Sequence, residues 1–175
     1  MYNFSKKLIF ILAIFFTFHS NLNSDVPYFV DFKYILNESK AGKEAQTYLK
    51  KKLTNGIKQL KDKEKAIQKA EKKIIEQKKL LAAEEYKKKV TDLRNQVASL
   101  QKERNNLLES VAKQRAKAKS ELLKNLNPII QEYMKEKKIR MVIDKKGILL
   151  ADENLDLTEE IIELLNKKLK SIKLK

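Results

Sequence analysis

The sequence predicts a mainly α protein with a small β part, in which a long antiparallel helical hairpin projects as a coiled-coil arm from a small body. Three observations predict it. Residues 39–135 read as two consecutive amphipathic helices with no proline before Pro128. That stretch carries 26 Lys+Arg against 12 Asp+Glu, and is too thin and too charged to be a catalytic domain. Shorter apolar, strand-like segments flank it at residues 26–32 and 139–151. One body therefore extrudes one arm, the outline of a protein that grasps.

The chain starts with a targeting pattern. Lys6 and Lys7 precede the apolar run at residues 8–18, and a polar stretch follows at residues 19–25. Charged, apolar, polar is the order of a secretory signal peptide, and the apolar run is shorter than the roughly 20 residues of a membrane-spanning helix. Residues 1–24 are assigned to it, with Ser24 as the last residue removed. Leu22 is larger than the residue usual two positions earlier, so a retained membrane anchor is the alternative. His19, the one histidine, leaves with the signal, and the chain has no cysteine. The common transition-metal ligands and Cys or His catalysts are then absent, so no metal, no cofactor and no enzymatic activity are expected. No disulfide scaffold is available either, and stability must come from packing, including packing between chains.

Charge is distributed unevenly. Removing Lys6 and Lys7 from the formal +16 leaves +14, and the arm alone supplies 26 − 12 = +14, so the flanks together are neutral. Three glycines and two prolines in 175 residues leave little room for anything but helix.

The elements follow in order. Residues 25–38 form the first part of the body, with the nearly continuous apolar strand VPYFVDF. The outgoing helix carries Leu53, Leu60, Ile67, Ile74 and Leu81 at intervals of seven, with Ile57, Ala70, Glu64, Glu71 and Lys78 between them. The returning helix carries Val90, Leu93, Val97, Leu100, Leu107 and Val111 at alternating spacings of 3 and 4, and Arg104, Gln114 and Ala118 where the seam is polar or small. Such spacing is a coiled-coil seam. Two helices of forty-odd residues would reach roughly 65 Å. The reversal is expected near residues 81–85, a single unbroken helix being the alternative because LLAAEEYKKK has no glycine or proline. Gly56 and Asn127-Pro128 are the expected sites of bending.

Residues 136–175 complete the body. Met141, Val142 and Ile143 lead through Gly147 into Ile148, Leu149 and Leu150, which predicts a β-hairpin with Gly147 at positive φ. Strands apolar on both faces need cover on both faces, which three short strands of one chain do not provide, so the body is expected to oligomerise. Tyr28, Val30, Met141, Val142, Ile143 and Leu149 are the expected oligomer contacts. Asp156 or Thr158 caps a terminal helix whose buried face is Ile161, Leu164, Leu165 and Leu169.

The order of these parts resembles the Skp/OmpH family of periplasmic chaperones for outer-membrane proteins. The residues that carry the resemblance are the first strand ending at Asp31, the SKAGKEA start of the arm, and Asp156, Thr158, Ile161, Leu165 and Asn166 after the VID strand. The resemblance spans essentially the whole mature chain, and none of these residues is a catalytic signature. It implies a homotrimer, with a small β-barrel body shared between three chains and three hairpins around a central cavity. It implies an ATP-independent holdase that encloses unfolded outer-membrane proteins in the periplasm and stops their aggregation. The glycine-free tip, Pro27 inside the first strand and the lysine-rich arms depart from the family pattern.

The residues themselves permit that role. Unfolded β-barrel proteins expose alternating apolar residues and unpaired backbone groups and aggregate unless screened. Lys58, Lys61, Lys65, Lys72, Lys73, Lys78, Lys79, Lys87, Lys88 and Lys89 form the expected client-attracting surface, and the same charge suits anionic lipid or lipopolysaccharide headgroups. Each of these lysines, taken singly, also reads as an ordinary solvated position, and Tyr48, Tyr86 and Tyr133 read as packing residues before client contacts. Glu84 and Glu85 read as helix-start charges. Two other functions compete. A pI of about 9.8 fits a nucleic-acid binder, but the signal peptide separates the chain from DNA, no stacking surface or zinc module accompanies the charge, and no nucleic acid is expected. An uncleaved N-terminus would instead make a tethered structural coiled coil of the envelope.

Overall fold

A computed structural model describes residues 26–174. The expected signal peptide, residues 1–24, lies outside the described residues. The elements are β1 (Tyr28–Val30), α1 (Phe32–Glu38), α2 (Lys40–Glu76), α3 (Ala83–Lys137), β2 (Val142–Asp144) and α4 (Thr158–Lys168), with 3-10 turns at Lys145–Gly147 and Glu153–Leu155.

The hairpin forms, and its two helices differ in length. The 37 residues of α2 and 55 residues of α3 correspond to roughly 55 Å and 80 Å. The surplus of α3 enters the body, where Leu122, Leu126 and Ile129 are buried. Partners run antiparallel: Lys52 reaches Ser110, Lys63 reaches Glu103 and Glu64 reaches Arg104. Leu60 and Val111 are buried on the seam, and Leu53, Ile67, Ile74, Leu93, Leu100 and Leu107 are half-buried. Val97 is 51 % exposed despite its seam spacing.

The turn falls at residues 77–82, ahead of the expected 81–85. The Gln77 carbonyl accepts from the amides of Leu80 and Leu81 at 2.9 and 3.1 Å. Glu84 and Glu85 lie in the first turn of α3, where the positive end of the helix dipole favours carboxylates. Their attraction for a helix start draws the turn upstream of them.

Neither expected bend interrupts a helix: α2 continues through Gly56 and α3 through Pro128. Gly56 is a packing site. A Cβ there would lie 2.5 and 2.7 Å from the two methyls of Leu107. Gly42 is tighter still, since a Cβ would lie 2.0 Å from the Leu36 carbonyl oxygen at the corner between α1 and α2.

The β part departs from the expected hairpin. β1 pairs with β2 in parallel, Tyr28 against Val142, Phe29 against Ile143 and Val30 against Asp144. On the other side of β1, Phe29 bridges to Asp156, also in parallel. Residues 148–150 form no strand. The Asp144 carboxylate accepts from the Lys146 amide at 3.1 Å and starts a 3-10 turn, which carries the chain away before a hairpin can close. Gly147 does not take a positive φ; Lys138, at φ 56°, caps α3 in the left-handed region.

The core lies where the chain ends meet. Val30, Ile35, Leu126, Ile161 and Leu165 are fully buried, with Leu122, Ile129, Leu157 and Ile162 around them. Val30, expected to need another chain, is covered by its own. Of the expected α4 face, Ile161 and Leu165 are buried and Leu164 and Leu169 half-buried, while Ile162 joins them unanticipated. A second cluster at the arm root joins Ala45, Leu49, Val111 and Ala118 to Leu174 of the C-terminal tail.

Two glycine substitutions should separate backbone from side-chain crowding. Gly42→Ala should destabilise by about 1–3 kcal/mol, since a carbonyl oxygen of the chain must move. Gly56→Ala should stay within about 1 kcal/mol of wild type, because Leu107 methyls yield and alanine gains about 1 kcal/mol of helix propensity. Urea unfolding followed by circular dichroism checks both, and equal losses would contradict the assignment.

Candidate functional site

Two regions carry the residues singled out in the sequence: a clasp at the arm root and the basic surface of the distal arm. The clasp is built from polar groups on segments far apart in the chain. The Tyr28 amide donates to the Met141 carbonyl at 3.1 Å, and the Leu157 amide donates to the Phe29 carbonyl at 2.9 Å. The Asp31 amide donates to Thr158 Oγ1 at 2.9 Å. The Thr158 hydroxyl donates to Asp156 Oδ1, which also accepts from the Thr158 amide at 3.0 Å. The second Asp156 oxygen accepts from Lys145 Nζ at 2.9 Å, and that ammonium lies 5.5 Å over the Phe29 ring. The Asp31 carboxylate caps α1 through the Tyr34 amide at 2.8 Å.

The same logic holds at the start of α2. Ser39, fully buried, accepts from the Gly42 amide at 3.3 Å, and the Lys40 amide donates to Asn166 Oδ1 of α4 at 2.7 Å. Asp31, the SKAGKEA segment, Asp156, Thr158 and Asn166 thus tie the beginning and end of the chain together. Their work is structural.

Charge follows this geometry. Burial disfavours the Asp156 carboxylate, but hydrogen bonds from Thr158 and the Lys145 ammonium outweigh it and hold its pKa below the ordinary value. The hydrogen bond to Asp156 raises the Lys145 pKa. Burial pushes up the phenol of Tyr133, which packs against the core.

The distal arm is arranged differently. On α2, Lys58, Lys65 and Lys72 each follow a seam residue, Leu53, Leu60 and Ile67, by five positions, which on a helix is a rotation of roughly 140°. They form an exposed stripe turned away from α3, beside exposed Lys61 and Lys73. Lys78 and Lys79 lie in the turn, with Lys78 over the Tyr86 ring at 5.9 Å. Lys87 and Lys88 are exposed on the first turns of α3, whereas Lys89 is partly covered and lies 3.7 Å from Glu85. Among the described residues, Lys89 alone of the ten has a carboxylate partner. Ile75 and Leu80, 61 % and 84 % exposed, stand among these lysines. Sequence reasoning missed the cross-arm pairs Lys63–Glu103 and Glu64–Arg104, at 2.6 and 3.9 Å. Glu64 and Arg104 had been legible only as interruptions of their seams.

The expected oligomer contacts are split. Tyr28, Val142 and Ile143 are half-buried in the body, and Met141 and Leu149 are 57 % and 95 % exposed, next to Leu150 at 90 %. Among the described residues no helix is long and apolar enough to cross a membrane, and no group of three or more His, Cys, Asp or Glu is placed to hold a metal ion.

A clasped body with a two-helix arm, whose distinguishing residues secure the root, defines a class of hairpin-armed proteins. Within it, a family model described as outer membrane protein (OmpH-like) matches residues 28–165, and the chain belongs to this OmpH-like family. An uncharacterized protein of Aquifex aeolicus (strain VF5) is 31 % identical over 140 residues, covering 79 % of this chain and 84 % of that one. The crystal structure of a candidate outer membrane chaperone (OmpH-like) from Caulobacter crescentus CB15 superposes with a TM-score of 0.78 at 19 % identity, over 85 % of this chain and 89 % of that one. The latter likeness establishes the shared fold.

The clasp makes a pH-dependent contribution of known sign. A carboxylate whose folded pKa is depressed stabilises above its ordinary value of 3.8 and loses that contribution as pH falls through the folded value. Asp156→Asn should therefore be less stable than wild type at pH 7, and the difference should shrink below pH 3.8. Urea midpoints at both pH values measure it; a constant gap would show that the charge of Asp156 is immaterial.

Proposed function

We propose that this protein is a nucleotide-independent holdase chaperone of the periplasm, which screens unfolded outer-membrane β-barrel proteins with its basic arms and prevents their aggregation. The observation that carries this reading is the distal arm: exposed lysines without carboxylate partners among the described residues surround exposed Ile75 and Leu80 on a hairpin that leaves its body's core complete. Membership of the OmpH-like family and the fold shared with the Caulobacter protein support it. Positive charge attracts acidic clients and anionic lipid or lipopolysaccharide surfaces at a distance, and scattered apolar residues bind many sequences weakly. Secretion by the N-terminal signal would deliver the chain to that compartment.

The assembly belongs to the same reading. β2 is an edge strand, and Met141, Leu149 and Leu150 are exposed beside it, so a homotrimer that joins these edges into a shared barrel would cover apolar surface that one chain leaves open. Leu149→Asp with Leu150→Asp should then lower the mass seen by light scattering while helicity stays near wild type. Unchanged mass would remove these residues from the interface.

The decisive experiment dilutes a urea-unfolded outer-membrane β-barrel protein into purified mature protein without nucleotide, and follows turbidity and complex mass. Suppressed aggregation in a soluble complex is expected, and persistent aggregation at excess protein would refute the reading. Raising salt from 0.1 to 1 M shortens the screening length from about 10 to about 3 Å, so association should slow while binding survives. Gln at Lys72, Lys73, Lys78, Lys79, Lys87, Lys88 and Lys89 together should mimic high salt chiefly through the on-rate. Complete loss of client at high salt, with retention of duplex DNA at low salt, would instead mark a polyanion binder.

A further inference from the structure

At the arm root, where α1, α2 and α3 meet, an open cleft of about 530 Å³ falls within the roughly 300–1,000 Å³ of ligand sites. Its floor is apolar, formed by Leu36, Leu49, Leu53, Val111 and Leu122. Lys50, Arg115 and Lys119 stand around it, all exposed and, among the described residues, none with an ion pair or side-chain hydrogen bond. No carboxylate lines it, and Asn37 and Gln46 add amide groups. An apolar floor ringed by free cations fits a ligand that is both apolar and anionic.

The chain's own tail shows what shape of ligand the root accepts. On the other flank of the same seam, Ile172 and Leu174 pack against the cluster of Ala45, Leu49, Val111 and Ala118, with Lys173 exposed between them. Gln114 Nε2 donates to the Leu174 carbonyl at 2.8 Å, so a side chain of α3 holds the backbone of an alternating apolar segment. Gln114 and Arg115 are successive on α3, roughly 100° apart, and face the tail and the cleft respectively.

The geometry points to the cleft as a docking site for an extended, acidic segment of an unfolded polypeptide, with alternate apolar side chains on its floor and the intervening carboxylates at Lys50, Arg115 and Lys119. Resting on the holdase reading, this adds a defined site at the arm root to the diffuse attraction of the distal lysines. A client strand rich in acidic residues is held there, and a basic one is repelled.

The test is fluorescence anisotropy of the full mature protein with two labelled synthetic peptides, one alternating Leu and Glu, the other Leu and Lys. Wild type is expected to bind the Glu peptide at least tenfold more tightly. Lys50→Glu, Arg115→Glu and Lys119→Glu together should reverse the preference, and Gln46→Trp, which fills the cleft, should weaken binding of the Glu peptide. Gln at Lys72, Lys78, Lys79, Lys87 and Lys88 should leave the preference intact. A preference unchanged by rim reversal, or abolished by the distal variant, overturns the inference, as does rim-dependent binding of palmitate with no binding of peptide. Turbidity with the unfolded β-barrel protein runs in parallel. Rim-dependent peptide binding without aggregation suppression would remove the holdase reading and leave the cleft; suppression with rim-independent peptide binding would remove the cleft alone.

Discussion

Parallel pairing of β1 with β2 is the constraint on which the molecule depends. Parallel strands cannot be joined by a tight turn and need a crossover, and here the whole arm is that crossover. An antiparallel helical hairpin suits the task because it returns the chain to its point of departure, however far it travels. The clasp of Asp31, Asp156 and Thr158 and the Lys40–Asn166 contact then lock the two ends beside each other. Loop closure costs only about 0.6 kcal/mol more for each doubling of length, so a clasp of this kind places little restriction on the reach of the arm.

The arm itself is firmest at its root. There Ala45 and Ala118 let the helices approach, Gly56 admits the Leu107 methyls, and the tail covers one flank. Farther out the stripe is narrow, and shallow gaps open beside Ala66 and Ala70. Lys63–Glu103 and Glu64–Arg104 span the helices in that region, but exposed pairs contribute about 0–1 kcal/mol each. Their effect is on register more than on strength. A slip by one heptad would set Glu64 against Val97 or Val111 and Lys63 against Gln96 or Ser110.

Much of this was legible because seam spacing is a local property: Leu53, Leu60, Ile67 and Ile74 identify their stripe without knowledge of the partner. The turn was misplaced by a few residues because LLAAEEYKKK has no conformational punctuation, and only the preference of Glu84 and Glu85 for a helix start marked it. The β-hairpin was misread for a deeper reason. Ile148, Leu149 and Leu150 offered a nearby partner for β2, while its real partner lies on the far side of the arm, beyond any local pattern. Gly56 was read as a weak point because its solitary hydrogen is informative only beside Leu107. The lysine stripe could be placed on α2 from spacing, but which lysines keep their charge unpaired depends on the opposite helix. The cleft, made by three helices, had no signature beyond the small residues Gly42, Ala45 and Ala118.

That division between a rigid root and a loosely zipped, charged arm has a consequence for release. Burying a large apolar side chain contributes about 1.5–3 kcal/mol at most, and the exposed Ile75, Leu80, Val97 and Leu108 are spaced along the hairpin. On the holdase reading, a folded outer-membrane barrel turns its outward apolar band to lipid, so once inserted it offers the arm few apolar groups and leaves. An unfolded chain meets several in succession, and its affinity is the sum over contacts that form and break independently. Folding and insertion of the client then end the complex, since each strand that pairs within the barrel and turns its apolar side chains to lipid withdraws contacts from the arm. No nucleotide-driven change of the chaperone is needed, because the difference between bound and released client lies in the client's own surface.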